Sequence, residues 1–281
     1  MTFMEQLLRR QQEVASHVCA GVDPDTKKMP RGRTGGVIGH GPITKRLLDF
    51  SLGYLWSVKD QSCIVKPNLA FWSCEGAENA LAALIYHAHH HGLQVILDAK
   101  YGDIGNTAQY YAQTAFDRYG ADAVTVNAYL GTDTLEPWLD YGPDKCIYVL
   151  CHTSNRGAAE FQEQRLTPSE RQLFVHLAAR ATAKQKSSCT QIGLVMGATF
   201  PDQLALLDGV VPFETTPLLI PGVGSQKGDL VATVAHARRY LFVINSSSGL
   251  MHASQKSSDC AEVAGQKADD LRQQINKALA S

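Results

Sequence analysis

The sequence predicts a closed parallel β/α barrel, and three observations carry that prediction. Eight short apolar runs of strand length are each separated from the next by a segment with helical spacing, and nowhere do two strand runs follow one another. That alternation is the grammar of a parallel sheet with crossover helices. Polar or otherwise odd residues, namely Asp23, Lys66, Asp98, Lys100, Asn127, Ser154 and the glycines of PGVGSQ, fall at the C-terminal ends of those runs. In a barrel these ends converge on one mouth. No G-x-G-x-x-G follows the first run, which counts against the alternative, an open doubly wound sheet. At 281 residues the length admits two domains or one large one. The even alternation favours one TIM (β/α)8 barrel domain over residues 1–281, with an N-terminal helix and a C-terminal capping helix.

Composition limits what such a barrel can do. Hydrophobic residues at 44% and charged residues at 19% suffice for a large buried core. With 26 basic and 27 acidic residues the net charge is -1, so no global field draws the chain to nucleic acid or to an anionic membrane. An anionic ligand must be held locally. The 7 cysteines are scattered without a C-x-x-C pair, which fits reduced thiols and a cytoplasmic protein. MTFMEQLLRRQQEV has charges inside its apolar pattern and reads as an amphipathic helix rather than a signal peptide. No apolar run reaches membrane-spanning length.

Taken in order, HVCAGVDPD is the first strand, ending in Asp23 with Pro24 halting further pairing. Residues 26–41, rich in Gly, Pro, Lys and Arg, read as a surface loop, and lack the Gly-Lys-Ser/Thr of a phosphate loop. Residues 42–58 have helical spacing, with Pro42 suited to the first turn. CIVKPNLAFW carries Lys66 inside an apolar run, where an ammonium requires a partner. Residues 77–91 form a helix ending at Gly92. Its His87, His89, His90 and His91 offer either a metal site or a solvated helix C-terminus; no carboxylate or thiol is spaced to complete a ligand set, which favours the latter.

QVILDAKYGDIGNT is the next strand and its exit, followed by a helix over residues 105–119 and the strand ADAVTVNAY. A short helix is predicted over residues 132–139, and CIYVLCHTSN is a strand opening into Ser154 and Asn155. A long amphipathic helix is predicted over residues 168–186, then the strand IGLVMGAT and a helix PDQLALLDGV begun by Pro201. PLLIPGVGSQKGD runs from strand into glycine-rich loop, residues 230–238 are helical, LFVINSSSG is the last strand, and a polar helix over residues 257–280 caps the chain.

The chemistry centres on QVILDAKYGDIGNT. Side chains alternate along a strand, so Asp98 and Lys100 share a face while Asp103 lies past the turn. A structural ion pair is the plain alternative. Collected at one mouth, however, Lys66, Asp98, Lys100 and Asp103 make an alternating array of little net charge. Its carboxylates fix the ammoniums, and a lysine stands ready to protonate a developing carbanion. The glycines of PGVGSQKG expose backbone N–H groups before a helix N-terminus, a phosphate cradle. With the SSSG loop this matches the usual phosphate place in barrels. Pro221, Gly222, Ser247 and Ser248 are therefore candidate substrate contacts.

These motifs carry a resemblance. LDAKYGDIGNTA resembles the D-x-K-x-x-D-I signature of the orotidine 5'-phosphate decarboxylase family, and GVDPD, VKPNLAF, ADAVTVNAY, TSNRGA, GATFP and IPGVGSQKGD resemble its mainly bacterial subfamily, type 2. The resemblance implies a homodimeric TIM barrel that converts orotidine 5'-phosphate to UMP and carbon dioxide in de novo pyrimidine biosynthesis, with no cofactor and no metal. It implies that Lys100 protonates the C6 carbanion, that Asp98 lies against the substrate carboxylate, and that Lys66 bridges Asp98 and the ribose. Asp103 and Thr107 would reach the partner's site, Asp23 a ribose hydroxyl, Ser154 the pyrimidine and Gln226 the phosphate. Two positions depart from the family pattern. Ser248 stands where the family has a phosphate-binding arginine, and Tyr101 where the subfamily has an arginine. Lys227 stands where a second glycine is common, and is the candidate source of the missing charge. Rival readings are a magnesium-dependent sugar-phosphate barrel and a nucleotide-binding paralogue without turnover.

Overall fold

The structure is a computed structural model that describes residues 1–30, 41–223, 228–256 and 258–281. Its eight barrel strands are β1 (Val18–Val22), β2 (Ile64–Pro67), β3 (Gln94–Tyr101), β4 (Ala123–Val126), β5 (Cys146–His152), β8 (Gln191–Met196), β9 (Leu218–Pro221) and β10 (Phe242–Ser246). All pair in parallel and close as β1-β10-β9-β8-β5-β4-β3-β2. A two-stranded antiparallel hairpin, β6 (Arg165–Leu166) with β7 (Arg171–Gln172), stands apart. The barrel predicted from the alternation is the fold observed.

Two apolar clusters follow from the period of two along each strand. Outward residues such as Val18, Ala20, Val65, Leu97, Val124 and Ile147 pack under the helices. Inward residues such as Cys19, Ile64, Ile96, Ala123, Tyr148 and Val243 fill the lumen. The helix Phe3–Val14 plugs the N-terminal end, placing Phe3 and Leu7 in that lumen cluster. It begins where the sequence allows, since Thr2 and Glu5 form a reciprocal capping box. Gln11 then ties it to the Phe242 carbonyl at 2.8 Å. One residue pair further along each strand the inward positions become Lys66, Asp98, Thr125 and Asn245, all buried. An apolar floor thus lies directly beneath a polar layer.

The helices depart from the predicted spans in two places. The helix predicted over residues 168–186 runs only Leu173–Thr182, because the chain before it makes the β6–β7 hairpin. At its far end the Thr182 hydroxyl turns back onto the Ala178 carbonyl at 2.8 Å, a competition that side-chain hydroxyls bring to helix ends. PDQLALLDGV is helical only over Asp202–Ala205. The helix after β3, Gly105–Gln113, continues as a π-helical turn Thr114–Arg118. Near the histidine cluster, His89 bonds the Asp122 carboxylate at 2.8 Å and His91 packs on Trp56, ring centroids 4.2 Å apart.

Packing in the floor is tight enough to test. A Cβ on Gly193 would lie 2.7 Å from the Pro217 carbonyl and 2.7 Å from the Tyr148 ring, and backbone cannot yield as a flexible side chain can. Gly193→Ala is expected to lower stability by about 1–3 kcal/mol, read as a reduced midpoint in urea with an unchanged slope.

Candidate active site

Asp98 is the centre of the polar layer. β2 brings Lys66 to it and β3 brings Lys100, so each carboxylate oxygen has its own ammonium: Lys66 Nζ on Oδ2 at 2.5 Å and Lys100 Nζ on Oδ1 at 2.5 Å. Thr125, inward on β4, donates to the same Oδ1 at 3.0 Å. Its hydroxyl also accepts from the backbone N–H groups of Ala99 and Lys100, at 3.0 and 2.9 Å. That double acceptance holds β3 out of register with β4 between Leu97 and Tyr101. Lys100 accordingly sits at φ 51°, a left-handed conformation that costs a non-glycine residue on the order of 1–3 kcal/mol. The strain aims an ammonium that is half exposed, while the Lys66 side chain is only 5% exposed.

Burial alone would raise the Asp98 carboxyl, but the Lys66 and Lys100 ammoniums outweigh it and hold the group well below the usual carboxylate range. Burial likewise presses the Lys66 ammonium toward neutrality; Asp98, and after it Asp23, overcome this and raise it above the ordinary lysine value. The buried carboxylate and the buried ammonium are both charged at neutral pH, each because of the other.

Beside this array a cleft of about 200 Å³ opens between the exits of β1, β9 and β10, lined by Asp23, Pro221, Gly222, Ser247 and Ser248 among others. Asp23 Oδ1 is buried there with no hydrogen-bond partner among the described residues, so its acceptor is free to take a ligand hydroxyl. His252, on the turn after the helix Ser248–Met251, lies 2.9 Å from the Asp23 carbonyl through Nε2 and stacks on Phe50 at 6.0 Å. Burial pushes its imidazole down, with the Asp23 carbonyl opposing. Lys28 reaches the same cleft and pairs with Asp25 at 3.3 Å.

Of the candidate residues read from the sequence, the structure therefore joins Lys66, Asp98 and Lys100 in one array, with Asp23, Pro221, Gly222, Ser247 and Ser248 beside it. Ser154 follows β5, its carbonyl accepting from the Thr199 hydroxyl at 3.2 Å. Neither Asp103 nor Thr107 bonds a member of the array among the described residues. The Asp103 carboxylate accepts from the Ile104 N–H at 2.8 Å and pairs with no cation among the described residues, and Thr107 is exposed on the helix Gly105–Gln113. Gln226 and Lys227 lie outside the described residues. Thr125, Lys28 and His252 escaped the sequence analysis. The period of two from Ala123 could have found Thr125, whereas nothing local marks the other two.

Comparison with known proteins bears on the family and the fold. Residues 16–263 match the model of a family described as orotidine 5'-phosphate decarboxylase / HUMPS. The orotidine 5'-phosphate decarboxylase of Cupriavidus necator is 40% identical, over 99% of this chain and 98% of its own. That of Dechloromonas aromatica is 41% identical, over 98% of this chain and 99% of its own. Among solved structures, Leishmania donovani OMP decarboxylase is 30% identical and covers 100% of both chains with a TM-score of 0.79.

The buried Lys66–Asp98 pair has a stability signature. Removing the carboxylate strands a buried ammonium, so Asp98→Asn is expected to cost about 3–5 kcal/mol at neutral pH. Because the folded carboxyl lies below its ordinary value of 3.8, its contribution is complete above that value and is lost as pH falls through the folded one. The stability gap between parent and variant, measured by chemical denaturation, is therefore expected to narrow on acidification below pH ~4.

Proposed function

We propose that this chain, which belongs to the orotidine 5'-phosphate decarboxylase / HUMPS family, converts orotidine 5'-phosphate to UMP and carbon dioxide in pyrimidine biosynthesis. The observation that carries the mechanism is the buried Asp98 carboxylate shared by two ammoniums, Lys66 and Lys100, at the barrel mouth. The bond from C6 to the substrate carboxylate breaks, carbon dioxide leaves, and the electron pair stays on C6. Lys100 Nζ donates a proton to that carbon and is recharged from water, to which its half-exposed side chain has access. The step consumes one proton and asks for no cofactor or metal.

Roles divide by burial. Lys66 is enclosed, and its proton is held tightly by Asp98 and Asp23, so it acts as a fixed positive charge between Asp98 and the ribose. Asp98 lies against the substrate carboxylate, and its charge is set before substrate arrives, as electrostatic preorganisation requires. Asp23, with a buried acceptor oxygen unpartnered among the described residues, takes a ribose hydroxyl. Ser154 meets the pyrimidine. The phosphate goes to the cleft of Pro221, Gly222, Ser247 and Ser248 with Gln226, and Lys227 supplies the positive charge absent at Ser248.

The active form is a cytoplasmic homodimer. Asp103 and Thr107 serve the partner's site, a reading supported by their making no bond to this chain's own array among the described residues and by the exposed Ile104 and Tyr110 on the same segment. Ser248 motivates one competing reading, a nucleotide binder without turnover, since a guanidinium is the stronger phosphate partner.

Three outcomes are expected. The purified protein turns over orotidine 5'-phosphate in EDTA, followed as loss of orotate absorbance, and Lys100→Ala loses a factor on the order of 10²–10⁴. Retained turnover in that variant sinks the proton-donor role, and UMP binding without turnover supports the binder. Lys227→Ala raises KM with little change in kcat; an unchanged KM rejects its phosphate role. Lastly, mixing inactive Lys100→Ala with inactive Asp103→Ala subunits restores activity, because one site of each mixed dimer is intact, whereas no recovery contradicts the shared site.

A further inference from the structure

We infer that Gln162, together with Glu163 seated on His152, is a positioning residue that fixes Ser154 for the pyrimidine end of the substrate. The inference rests on the role proposed above for Ser154.

β5 ends at His152, and Ser154 follows two residues later at the mouth. The chain then leaves on a long, largely exposed excursion, residues 155–172, through the short helix Ala158–Phe161 and the β6–β7 hairpin. A serine at the root of so long a loop shares its mobility unless something anchors the root.

The return of the loop provides the anchor. Gln162 reaches back to Thr153 with both ends of its amide: Oε1 accepts from the Thr153 backbone N–H at 2.8 Å, and Nε2 donates to the Thr153 hydroxyl at 2.8 Å. That hydroxyl in turn donates a hydrogen bond to Asn155 Oδ1 at 2.6 Å. Gln162 is itself held, because its carbonyl accepts from the Phe174 N–H at 2.9 Å in the first turn of the helix Leu173–Thr182. The next residue, Glu163, places Oε1 3.0 Å from Nε2 of His152. His152 is fully buried, its ring edge-on to Phe174 and Phe200, each at 5.1 Å. Nε2 therefore carries the hydrogen that bonds Glu163, while Nδ1 is buried without a partner among the described residues. A buried imidazole in that state makes the Glu163 contact costly to break.

From the other side Ser154 rests on Gly197, just past the end of β8. A Cβ on Gly197 would lie 2.8 Å from both Cα and N of Ser154, so only glycine permits this approach. The Gly197 N–H also donates to the His152 carbonyl at 2.7 Å. Ser154 is thus clamped between a rigid strand exit and the fork of Gln162. A hydroxyl aimed at a ligand loses its worth when displaced by about 1 Å, and the fork supplies that precision from outside the substrate's reach.

The test is a double-mutant cycle with two ligands. Gln162→Ala is expected to lower kcat/KM for orotidine 5'-phosphate and to weaken UMP binding about tenfold, the equivalent of one well-placed hydrogen bond. Affinity for ribose 5-phosphate, which has no base, stays unchanged. Gln162→Glu keeps the acceptor for the Thr153 amide and restores most of the loss. The double variant Ser154→Ala/Gln162→Ala loses no more than Ser154→Ala alone, because Gln162 acts through that serine. Additive losses, equal weakening of both ligands, or a silent Gln162→Ala each overturn the proposal. A parent chain without turnover overturns the reaction instead, and the two affinities then decide the positioning role by themselves.

Discussion

The structure depends on one carboxylate that cannot afford to lose its partners. Asp98 is taken out of water at the top of the barrel, and two ammoniums and a hydroxyl satisfy it there. Enclosing an ion costs several kcal/mol, and mutual attraction repays this only when geometry is good and the remaining lone pairs are bonded. Much of the mouth can be understood as meeting that condition. β2 must stay in register with β1 and β3 so that Lys66 points inward. β4 must place Thr125 where one hydroxyl serves Asp98 and two backbone amides. β3 must accept a left-handed residue at Lys100. A chain seeking stability alone would do better with apolar residues of the same volume.

The floor makes that arrangement possible. Phe3, Leu7 and Tyr148 fill the lumen one layer below the charges, so the array stands on buried side chains. With low polarisability beneath, the fields of Lys66 and Asp98 act on each other and on whatever enters from above, instead of being screened. The N-terminal helix therefore has an electrostatic consequence as well as a packing one. Its capping box and the Gln11 bond hold the plug against that end of the barrel.

The barrel was legible because each β/α unit repeats the same patterns, a short apolar run and then a 3.6-residue period, and errors in one unit are outvoted by the rest. The array was legible because β3 alone supplies Asp98 and Lys100, while Lys66 is conspicuous as a charge in an apolar run. Thr125 passed unnoticed, since threonine is ordinary in a strand and only pairing with β3 reveals what it bonds. Residues 168–172 look helical by amphipathic pattern, yet Gln162 and Glu163 are bonded to the end of β5, and this stretch forms the turn and second strand of a hairpin. Lys28 and His252 meet across some 220 residues of chain, a proximity that closure of the barrel between β1 and β10 creates and no local pattern encodes.

Closure of the barrel also fixes the charge balance of the cleft, and that bears on how a substrate is held. Among the described residues lining it, the Asp23 charge is felt by Lys66, Lys28 is paired with Asp25, and His252 is kept toward its neutral form. For the phosphate placed here by the proposed function, the described residues offer hydroxyl and backbone donors at Ser247, Ser248 and Gly222, and the positive charge is left to Lys227. An ammonium on a flexible stem attracts as a point charge, whereas the fork of an arginine also fixes orientation. Where the phosphate end orients weakly, the far end must do more. Under the proposed reaction, the Lys/Asp array and Ser154 would then carry the alignment of C6 with Lys100, and the proposed anchoring of Ser154 by Gln162 would have more weight than opposite a bidentate grip.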